Sequence, residues 1–332
     1  MTRHILAGDV GGTKTLLAVY AITQADKLTL IREGRFASKE YDRLETIVQG
    51  FLREGNERIE ASAFGIPGPV LDGEVQVTNL PWKVSSPSLS QATSCFRIRL
   101  MNDLETTAYG SLFLPPNDVL TLNPGKHHRG NRAIIAAGTG LGQAFLFWDG
   151  ARYWPAATEG GHTDFAPRTE QEVALLAFLQ KRYGRVSYER ILSGPGLVNV
   201  FDFLREEQHK HIAPVVEERL QNEDPAAVVG ESGVNEICAT CAEAVDLFLN
   251  TYGAQAGNLA LTIMALGGVY IGGGIITKLR SRLSVSQFMK AFLDKGRLSA
   301  LMAEIPVHVL LNPKTSQLGA AHAAKELWER EA

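Results

Sequence analysis

The chain begins with apolar runs separated by polar turns, a pattern that predicts the order β-β-β-α-β. Ile5–Ala7, Leu16–Ile22 and Ala61–Ile66 have the continuous apolar character of buried strands, and Lys27–Phe36 predicts a strand with mixed alternation. Before the last of these strands, apolar residues at i, i+3, i+4, i+7 and i+8 predict one helix: Leu44, Ile47, Val48, Phe51 and Leu52. Strands and helices in this succession are typical of the α/β class.

A similar strand–glycine–strand pattern recurs further along the chain. Ala133–Ala137 and Gln143–Trp148 predict strands on either side of Gly138–Gly142, Tyr153–Ala157 predicts a third strand, and Thr169 can cap a following helix. The recurrence predicts a duplicated α/β fold with a cleft between the two copies. We expect a small α/β domain at 1–112, completed by a C-terminal helix at 317–332, and a large α/β domain at 113–316.

Composition and charge argue against a nucleic-acid-binding or membrane protein. The 332 residues include 33 Lys and Arg and 36 Asp and Glu, a net charge of -3, and the basic residues do not cluster. The longest apolar stretch, Leu259–Ile276, contains several glycines and predicts a buried helix, a glycine turn and a strand. Three cysteines, an odd and low number, indicate a reducing compartment, and we expect a cytoplasmic protein. Cys238 and Cys241 have C-x-x-C spacing inside a helical pattern, where core packing is favoured over redox or zinc chemistry.

The segment Asp9-Val10-Gly11-Gly12-Thr13 joins the first two predicted strands. Glycines permit positive φ and let backbone N–H groups approach an anion, and Thr13 and Lys14 add a hydroxyl and a positive charge. Asp9 repels phosphate, but its carboxylate suits the water shell of Mg²⁺. The segment therefore predicts either a phosphate-binding turn or a tight hairpin with Asp9 as its cap.

Two further glycine turns have the same ambiguity. Gly138-Thr139-Gly140-Leu141-Gly142 superficially matches a dinucleotide fingerprint, but that fingerprint requires a helix directly after the glycines. A strand is predicted there instead, which favours a hairpin whose N–H groups and Thr139 hydroxyl face a phosphate. Gly272-Gly273-Gly274 follows another apolar strand. It predicts either backbone without side chains, against which a flat nucleotide base can lie, or a junction between a helix and a strand that needs small residues.

Candidate catalytic chemistry lies at Asn102-Asp103, where a predicted strand meets a predicted helix. Asp103 is a candidate general base for a hydroxyl proton, with Asn102 orienting a sugar; the alternative is a helix N-cap. Nearby along the chain, Asn79 and Trp82 flank a proline turn and predict either sugar contacts or a packed loop.

Candidate sugar ligands also occur in the loop that contains Glu159 and His162, and at Glu189. Carboxylates and imidazole suit vicinal hydroxyls, because each can accept or donate hydrogen bonds. The alternatives are a metal site, for which Glu159 and His162 supply only half of a ligand set, or a structural loop. Taken alone, Glu189 is equally compatible with a surface acid.

The order of these motifs resembles that of the bacterial glucokinase family, within the hexokinase–actin–heat-shock-70 superfamily, along almost the whole chain. Lys14-Thr15 departs from the many members that carry Asn-Ala-Arg after the first phosphate motif. The resemblance rests on two phosphate motifs, a catalytic pair, two hallmark sugar-side segments and a nucleotide-side segment: Gly8–Thr13, Ala137–Gly142, Asn102-Asp103, Glu159–Pro167, Glu189–Leu197 and Gly268–Gly274.

The resemblance implies a two-lobed actin-like (ribonuclease-H-like) fold that phosphorylates glucose at O6 with ATP, the first step of glycolysis, with Asp103 as general base. It implies Mg²⁺ as cofactor, held by no direct protein ligand but by Asp9 through water, and a homodimer. The residues implied to bind the sugar are Asn79, Asn102, Asp103, Glu159, His162 and Glu189. The residues implied to bind ATP are Gly8, Asp9, Val10, Gly11, Gly12, Thr13, Lys14, Gly138, Thr139, Gly140, Gly273 and Gly274.

Other functions stay open at this point. A kinase for another hexose or an amino sugar needs the same motifs, and a sugar sensor without catalysis can share the fold. The glycine turns are suited to recognise phosphate groups and not a nucleotide base, so polyphosphate or ADP is an alternative phosphoryl donor.

Overall fold

The computed structural model describes residues 2–23, 27–283 and 287–331. Its strands are β1 (Arg3–Val10), β2 (Lys14–Ile22), β3 (Leu28–Ala37), β4 (Ile59–Ile66), β5 (Glu74–Gln76), β6 (Lys83–Ser85), β7 (Ile98–Asn102), β8 (Val119–Asn123), β9 (Arg132–Ala137), β10 (Leu141–Trp148), β11 (Tyr153–Thr158), β12 (Val269–Gly272) and β13 (Val307–Leu310). Its α-helices are α1 (Leu44–Arg53), α2 (Ser86–Thr93), α3 (Asp103–Gly110), α4 (Glu170–Tyr183), α5 (Gly194–Glu206), α6 (Pro214–Asn222), α7 (Pro225–Val234), α8 (Ala239–Ile263), α9 (Gly274–Lys278), α10 (Arg280–Leu283), α11 (Phe288–Leu293), α12 (Ser299–Glu304) and α13 (Thr315–Glu331).

The predicted β-β-β-α-β order is confirmed by β1, β2, β3, α1 and β4. The strands extend beyond the apolar runs: in β1, Arg3 and His4 pair with Ile22 and Ala21 of β2. Strand pairing uses backbone groups, so polar residues at the ends of an apolar run can still belong to the ladder.

Contacts within the chain divide it into two units. The first extends to Asp118 and includes Ala144–Ala157 and the segment from Asn312 onward; the second comprises Val119–Gln143 and Thr158–Leu311. The domain boundaries expected from the sequence stay a prediction.

The first unit is built on a sheet with the order β3-β2-β1-β4-β7. β1 pairs antiparallel with β2 and parallel with β4, and β4 pairs parallel with β7. Both faces of β1 are buried: Leu6 packs in one hydrophobic cluster with Leu17 and Phe64, and Ile5 packs in another with Ala320 of α13. Burial on both faces explains why β1 has a continuous apolar run.

In the second unit, β9, β12, β13 and β8 are neighbours in that order. The first three are parallel, and β8 is antiparallel to β13. The long α8 contributes much of the surrounding core, including Phe248 and Tyr252.

The apolar stretch Leu259–Ile276 has the predicted form: α8 ends at Ile263, and β12 leads into the glycine turn. Among the described residues, no helix has both the length and the apolar character needed to cross a bilayer. Cys238 and Cys241 are both buried in the core of the second unit, which confirms core packing. Cys238 is the N-cap of α8, however, and does not lie inside a helix as expected.

Candidate active site

In the first unit, the candidate residues lie at the sheet edge where the parallel strands end. The register pairs Asp9 of β1 with Gly65 of β4, and Ile66 of β4 with Asn102 of β7. The carboxyl ends of parallel strands are the usual ligand-binding edge of an α/β sheet. The sheet therefore brings the first glycine turn and the Asn102–Asp103 pair to one edge.

The turn between β1 and β2 is held on both sides by Ser38. The Gly11 N–H donates to the Lys14 carbonyl at 2.9 Å, and Ser38 Oγ donates to the Gly11 carbonyl at 2.7 Å. The Ser38 N–H donates to the Thr13 carbonyl at 3.1 Å. Neither Gly11 nor Gly12 has positive φ, so this turn does not use the left-handed conformation that glycine permits.

Close packing explains the glycines of this segment better than backbone conformation does. A β-carbon at Gly12 would lie 3.0 Å from Asn79 Cβ, and one at Gly8 would lie 2.3 Å from Phe64 Cδ1. Gly8 and Val10 are buried in β1, whereas Thr13 and Lys14 are exposed at the turn.

Asp9 is held by a side chain from α13. Its Oδ1 accepts a hydrogen bond from Ser316 Oγ at 2.8 Å. Burial raises the pKa of Asp9, while the Ser316 hydrogen bond and the charge of Lys14 lower it. A carboxylate oxygen at a phosphate turn is a suitable partner for Mg²⁺ and its bound water.

Of the two candidate residues beside the proline turn, Asn79 is exposed and Trp82 is buried. Asn79 is exposed and lies against Gly12, beside the first turn. Trp82 is 1% exposed, and its indole N–H donates to the Tyr41 carbonyl at 3.1 Å. Stacking of Trp82 on a sugar is therefore wrong, because the ring is part of the core.

Asn102, and not Asp103, is the N-cap of α3. Asn102 Oδ1 accepts from the Leu104 N–H at 2.9 Å, and Asn102 Nδ2 donates to the Gly68 carbonyl at 3.2 Å. Asp103 is the first residue of the helix, and its Oδ1 also accepts from the Leu104 N–H, at 2.9 Å. The alternative of Asp103 as N-cap is thus wrong, and the Asp103 carboxylate lies at the positive end of the helix dipole.

In the second unit, the second glycine turn connects β9 to a strand, β10, as predicted. The Gly138 N–H donates to the Gly140 carbonyl at 2.8 Å, and the Gly138 carbonyl accepts from the Gly194 N–H at 2.8 Å. Thr139 is exposed at the turn. A strand after the glycines rules out the dinucleotide fingerprint, which needs a helix there.

The third glycine turn packs directly on the end of β9. Gly273 has φ 93°, and a β-carbon there would lie 2.1 Å from the Ala137 carbonyl oxygen. The buried hydroxyl of Tyr252 accepts from the Ala137 N–H at 3.2 Å and lies 3.1 Å from the Ile135 carbonyl and 3.4 Å from the Gly272 carbonyl. One phenol therefore holds the ends of β9 and β12, from which the second and third turns start.

The three sugar-side residues of the second unit form one group. His162 Nε2 lies 3.9 Å from Glu159 Oε2, and His162 Nδ1 lies 3.9 Å from Glu189 Oε1. The other oxygen of Glu189 accepts from the Leu141 N–H at 2.9 Å. The group thus adjoins the second glycine turn. Glu159 and His162 are exposed and Glu189 is half-buried. The carboxylates can accept hydrogen bonds from hydroxyls, and the imidazole can accept or donate them.

Glycines seat the Glu159–His162 loop on the start of β10. A β-carbon at Gly161 would lie 1.9 Å from the Leu141 carbonyl oxygen, and one at Gly160 would lie 2.4 Å from Gln143 Oε1. Over residues 2–23, 27–283 and 287–331, no group of three or more His, Cys, Asp or Glu side chains is placed to hold a metal ion.

A family model described as Glucokinase matches residues 6–327. The chain is 41% identical to a glucokinase of Nostoc sp. over 339 aligned positions, which cover 97% of this chain and 99% of that protein. The chain belongs to the glucokinase family. Membership confirms the resemblance predicted from the motifs, and with it the expectation of an enzyme of the glucokinase class.

Solved structures of similar fold include glucokinases. A glucokinase from an Antarctic psychrotroph has a TM-score of 0.84 at 28% identity, covering 97% of this chain and 99% of that one. A ROK family glucokinase from Streptomyces griseus, solved with glucose and AMPPNP, has a TM-score of 0.64 at 19% identity, covering 97% and 99%. The predicted actin-like α/β fold is confirmed.

Two glycines of the second and third turns of this glucokinase-family chain have open space beside their Cα atoms. A β-carbon at Gly138 or at Gly274 would meet no atom within 4 Å, so the backbone at both positions faces open space. Gly140, in contrast, is packed against Glu189, where a β-carbon would lie 2.6 Å from Oε2.

Three hydroxyl residues at this sheet edge were missed by the sequence reasoning: Ser38, Thr106 and Ser316. Each hydrogen-bonds to a predicted site residue or to a neighbour of one. Ser316 contacts Asp9 although 307 positions separate them in the sequence. A single sequence contains no signal for such a contact, although the Asn102–Glu105 capping box that starts α3 was readable from its N-x-x-E spacing.

Proposed function

We propose that the chain transfers the γ-phosphoryl group of ATP to O6 of glucose, giving glucose 6-phosphate and ADP. The observation that carries the proposal is the position of Glu189, whose carboxylate touches both the second glycine turn and His162. Groups suited to sugar hydroxyls thereby adjoin a turn suited to phosphate. Family membership and the glucokinase names of its relatives support the same reaction.

We assign the general base to Asp103. Its carboxylate accepts the O6 proton as O6 forms a bond to the γ-phosphorus, and the bond from that phosphorus to the ADP oxygen breaks. The N-terminal position in α3 stabilises the negative charge that a base needs. Asn102 fixes the start of the helix through its contacts with Leu104 and Gly68, and therefore orients Asp103.

We assign phosphate binding to the turns Gly8–Lys14 and Gly138–Gly140, and the nucleotide side to Gly273 and Gly274. The exposed Thr13, Lys14 and Thr139 offer hydroxyls and a positive charge at the turns. Mg²⁺, when bound, neutralises phosphate charge, and Asp9 is the residue that fits it through water. AMPPNP in the related Streptomyces griseus structure supports ATP as donor.

We assign glucose binding to Glu159, His162 and Glu189 in the second unit and to Asn79, Asn102 and Asp103 in the first. The acidic groups accept hydrogen bonds from hydroxyls, while His162 and the amides can donate. Asn102 uses Oδ1 as a cap and one Nδ2 hydrogen for Gly68, which leaves one Nδ2 hydrogen for a ligand. By resemblance to the family, we also propose that the protein is cytoplasmic and forms a homodimer. Size-exclusion chromatography with light scattering measures the molar mass and so tests the dimer.

Initial rates of sugar phosphate formation test the proposed reaction when several sugars are crossed with several phosphoryl donors. Glucose, mannose, fructose and N-acetylglucosamine are each paired with ATP, ADP and polyphosphate. The highest kcat/KM is expected for glucose with ATP. A higher kcat/KM for another sugar would identify that sugar as the substrate in place of glucose, and a higher kcat/KM for another donor would identify it in place of ATP. The absence of sugar-dependent turnover in every pair would contradict a kinase.

A further inference from the structure

Ser316, near the start of α13, connects Asp9 to the helix that begins at Asp103. Its hydroxyl donates to Asp9 Oδ1 at 2.8 Å and lies 2.9 Å from Thr106 Oγ1. Thr106 Oγ1 lies 2.8 Å from the Asp103 carbonyl oxygen, to which it donates. A continuous set of polar contacts therefore links the carboxylate at the first glycine turn to the first residue of α3.

The hydroxyl hydrogens give these contacts a direction. An ionised carboxylate only accepts, so the single hydrogen of Ser316 is directed to Asp9, and Ser316 Oγ is left to accept from Thr106. Thr106 is fully buried, with 0% of its surface exposed, and its single hydroxyl hydrogen is shared between the Asp103 carbonyl oxygen and Ser316 Oγ. Removing either hydroxyl breaks the connection.

Three glycines hold the backbones so close that the hydroxyls have little freedom. A β-carbon at Gly319 of α13 would lie 1.8 Å from the Thr106 carbonyl oxygen, and one at Gly110 of α3 would lie 1.9 Å from the Thr315 carbonyl oxygen. On the sheet side, a β-carbon at Gly65 would lie 2.3 Å from Thr106 Oγ1. Direct backbone contact between α3 and α13 fixes where Ser316 Oγ can be.

We propose that Ser316 is a positioning residue for phosphoryl transfer. It aims the Asp9 carboxylate at the first glycine turn and, through Thr106, keeps that carboxylate aligned with Asp103. The inference rests on the proposed function, in which Asp9 serves the phosphate side and Asp103 serves the sugar hydroxyl. Small displacements of such groups slow a transfer that depends on alignment.

Ser316→Ala is the direct test. The charge-assisted hydrogen bond to Asp9 is lost, so kcat is expected to fall roughly 10- to 100-fold and the Mg²⁺ concentration for half-maximal rate to rise. The KM for glucose is expected to stay within about twofold, because the sugar-side residues are untouched. Thr106→Val is expected to lower kcat less, by roughly 3- to 10-fold, because Asp9 keeps its bond to Ser316.

Ser111→Ala is the matched control. Ser111 is buried, follows α3, and donates to a helix carbonyl, that of Ala108, at 2.7 Å. In the part of the chain that the structure describes, Ser111 makes no hydrogen bond to Asp9 or Ser316, so kcat and the Mg²⁺ dependence are expected to equal those of the wild type. Ser316→Cys keeps the side-chain size with a weaker donor, is expected to give an intermediate kcat, and replaces the alanine variant if that variant does not fold.

A double mutant separates positioning from general loosening. In an Asp9→Asn background, Ser316→Ala is expected to cause no further loss of kcat, because both changes act through one group. Wild-type Mg²⁺ dependence and kcat in Ser316→Ala, or multiplicative losses in the double mutant, would overturn the inference. Glucose-dependent ADP release by the wild type in the same assay shows that the proposed function stands independently of that outcome.

Discussion

The carboxylate of Glu189 accepts a hydrogen bond from the backbone N–H of Leu141, at 2.9 Å. Leu141 is the first residue of β10, directly after the second glycine turn, whereas Glu189 belongs to the segment that we assign to the sugar. The other carboxylate oxygen lies 3.9 Å from His162 Nδ1. One side chain therefore contacts both the second glycine turn and the loop that contains His162.

Glu189→Ala is expected to raise the KM for ATP as well as for glucose, because it removes the acceptor that holds the Leu141 N–H. Glu159→Ala and His162→Ala change only groups that we assign to the sugar, and are expected to raise the KM for glucose by about tenfold while the KM for ATP changes less than about twofold. Steady-state kinetics with each substrate varied in turn distinguishes the two patterns. An unchanged KM for ATP in Glu189→Ala would show that the Leu141 contact has no role in the turn.

Gly140→Ala is expected to disturb the same contact from the other side. A β-carbon at Gly140 would lie 2.6 Å from Glu189 Oε2, closer than van der Waals contact allows. The KM for both substrates is expected to rise by about three- to tenfold, because the carboxylate must move by a fraction of an ångström.

Gly50→Ala is the matched control, since a β-carbon there would meet no atom within 4 Å and Gly50 lies in α1. It is expected to leave both KM values unchanged and to stabilise the protein by up to about 1 kcal/mol through helix propensity. Equal kinetic effects of the two substitutions would contradict a specific role for Gly140.

Tyr252→Phe is expected to lower the free energy of unfolding by about 1–3 kcal/mol, because it leaves the buried Ala137 N–H without its acceptor. Tyr183→Phe removes a hydroxyl that donates to Asn199 at 2.9 Å in a partly exposed position, and is expected to cost about 1 kcal/mol or less. Urea denaturation measures both. A larger loss for Tyr183→Phe would show that the Tyr252 hydroxyl is not what holds the strand ends.

The strands and glycine turns could be predicted from sequence because their signals are local: apolar runs for β1, β2 and β4, and glycine with flanking polar groups for the turns. Trp82 shows where local signals fail, because its burial depends on Tyr41, 41 positions away. Asn102 took the cap position expected of Asp103, since either residue type can cap and tertiary contacts with Gly68 decide. Ser316 could not be found, because its contact with Asp9 depends on how α13 returns to the sheet edge.

Asp9→Asn is expected to raise the free energy of unfolding of the ligand-free protein at pH 7. Burial raises the pKa of Asp9 above its ordinary 3.8, although the Ser316 hydrogen bond and Lys14 oppose this. The folded state then holds the Asp9 proton more tightly than the unfolded chain, so stability is lost as the pH rises through the folded pKa. The free energy of unfolding of the asparagine variant should therefore exceed that of the wild type above the folded pKa. The difference should vanish below pH 3.8, where Asp9 is protonated in both the folded and the unfolded state.

Asp149→Asn is the control of opposite sign. Hydrogen bonds from the Arg152 N–H, the Trp154 indole and the Ala151 N–H lower the pKa of the exposed Asp149 to about 2. Its stabilising contribution is present above pH 3.8 and lost as the pH falls through about 2, so the variant is expected to be less stable at pH 7. Urea denaturation from pH 3 upward compares the two, and a lower stability of Asp9→Asn at pH 7 would contradict the assigned burial of that carboxylate.

The most direct test of the account is the kcat of Asp103→Asn with glucose and MgATP. Asparagine keeps the size and the helix position of Asp103 but cannot accept the O6 proton, so kcat is expected to fall by about 10²- to 10⁴-fold while the Kd for glucose changes less than about twofold. A kcat within about threefold of the wild type would mean that another group, or none, takes the proton, and would contradict Asp103 as the general base.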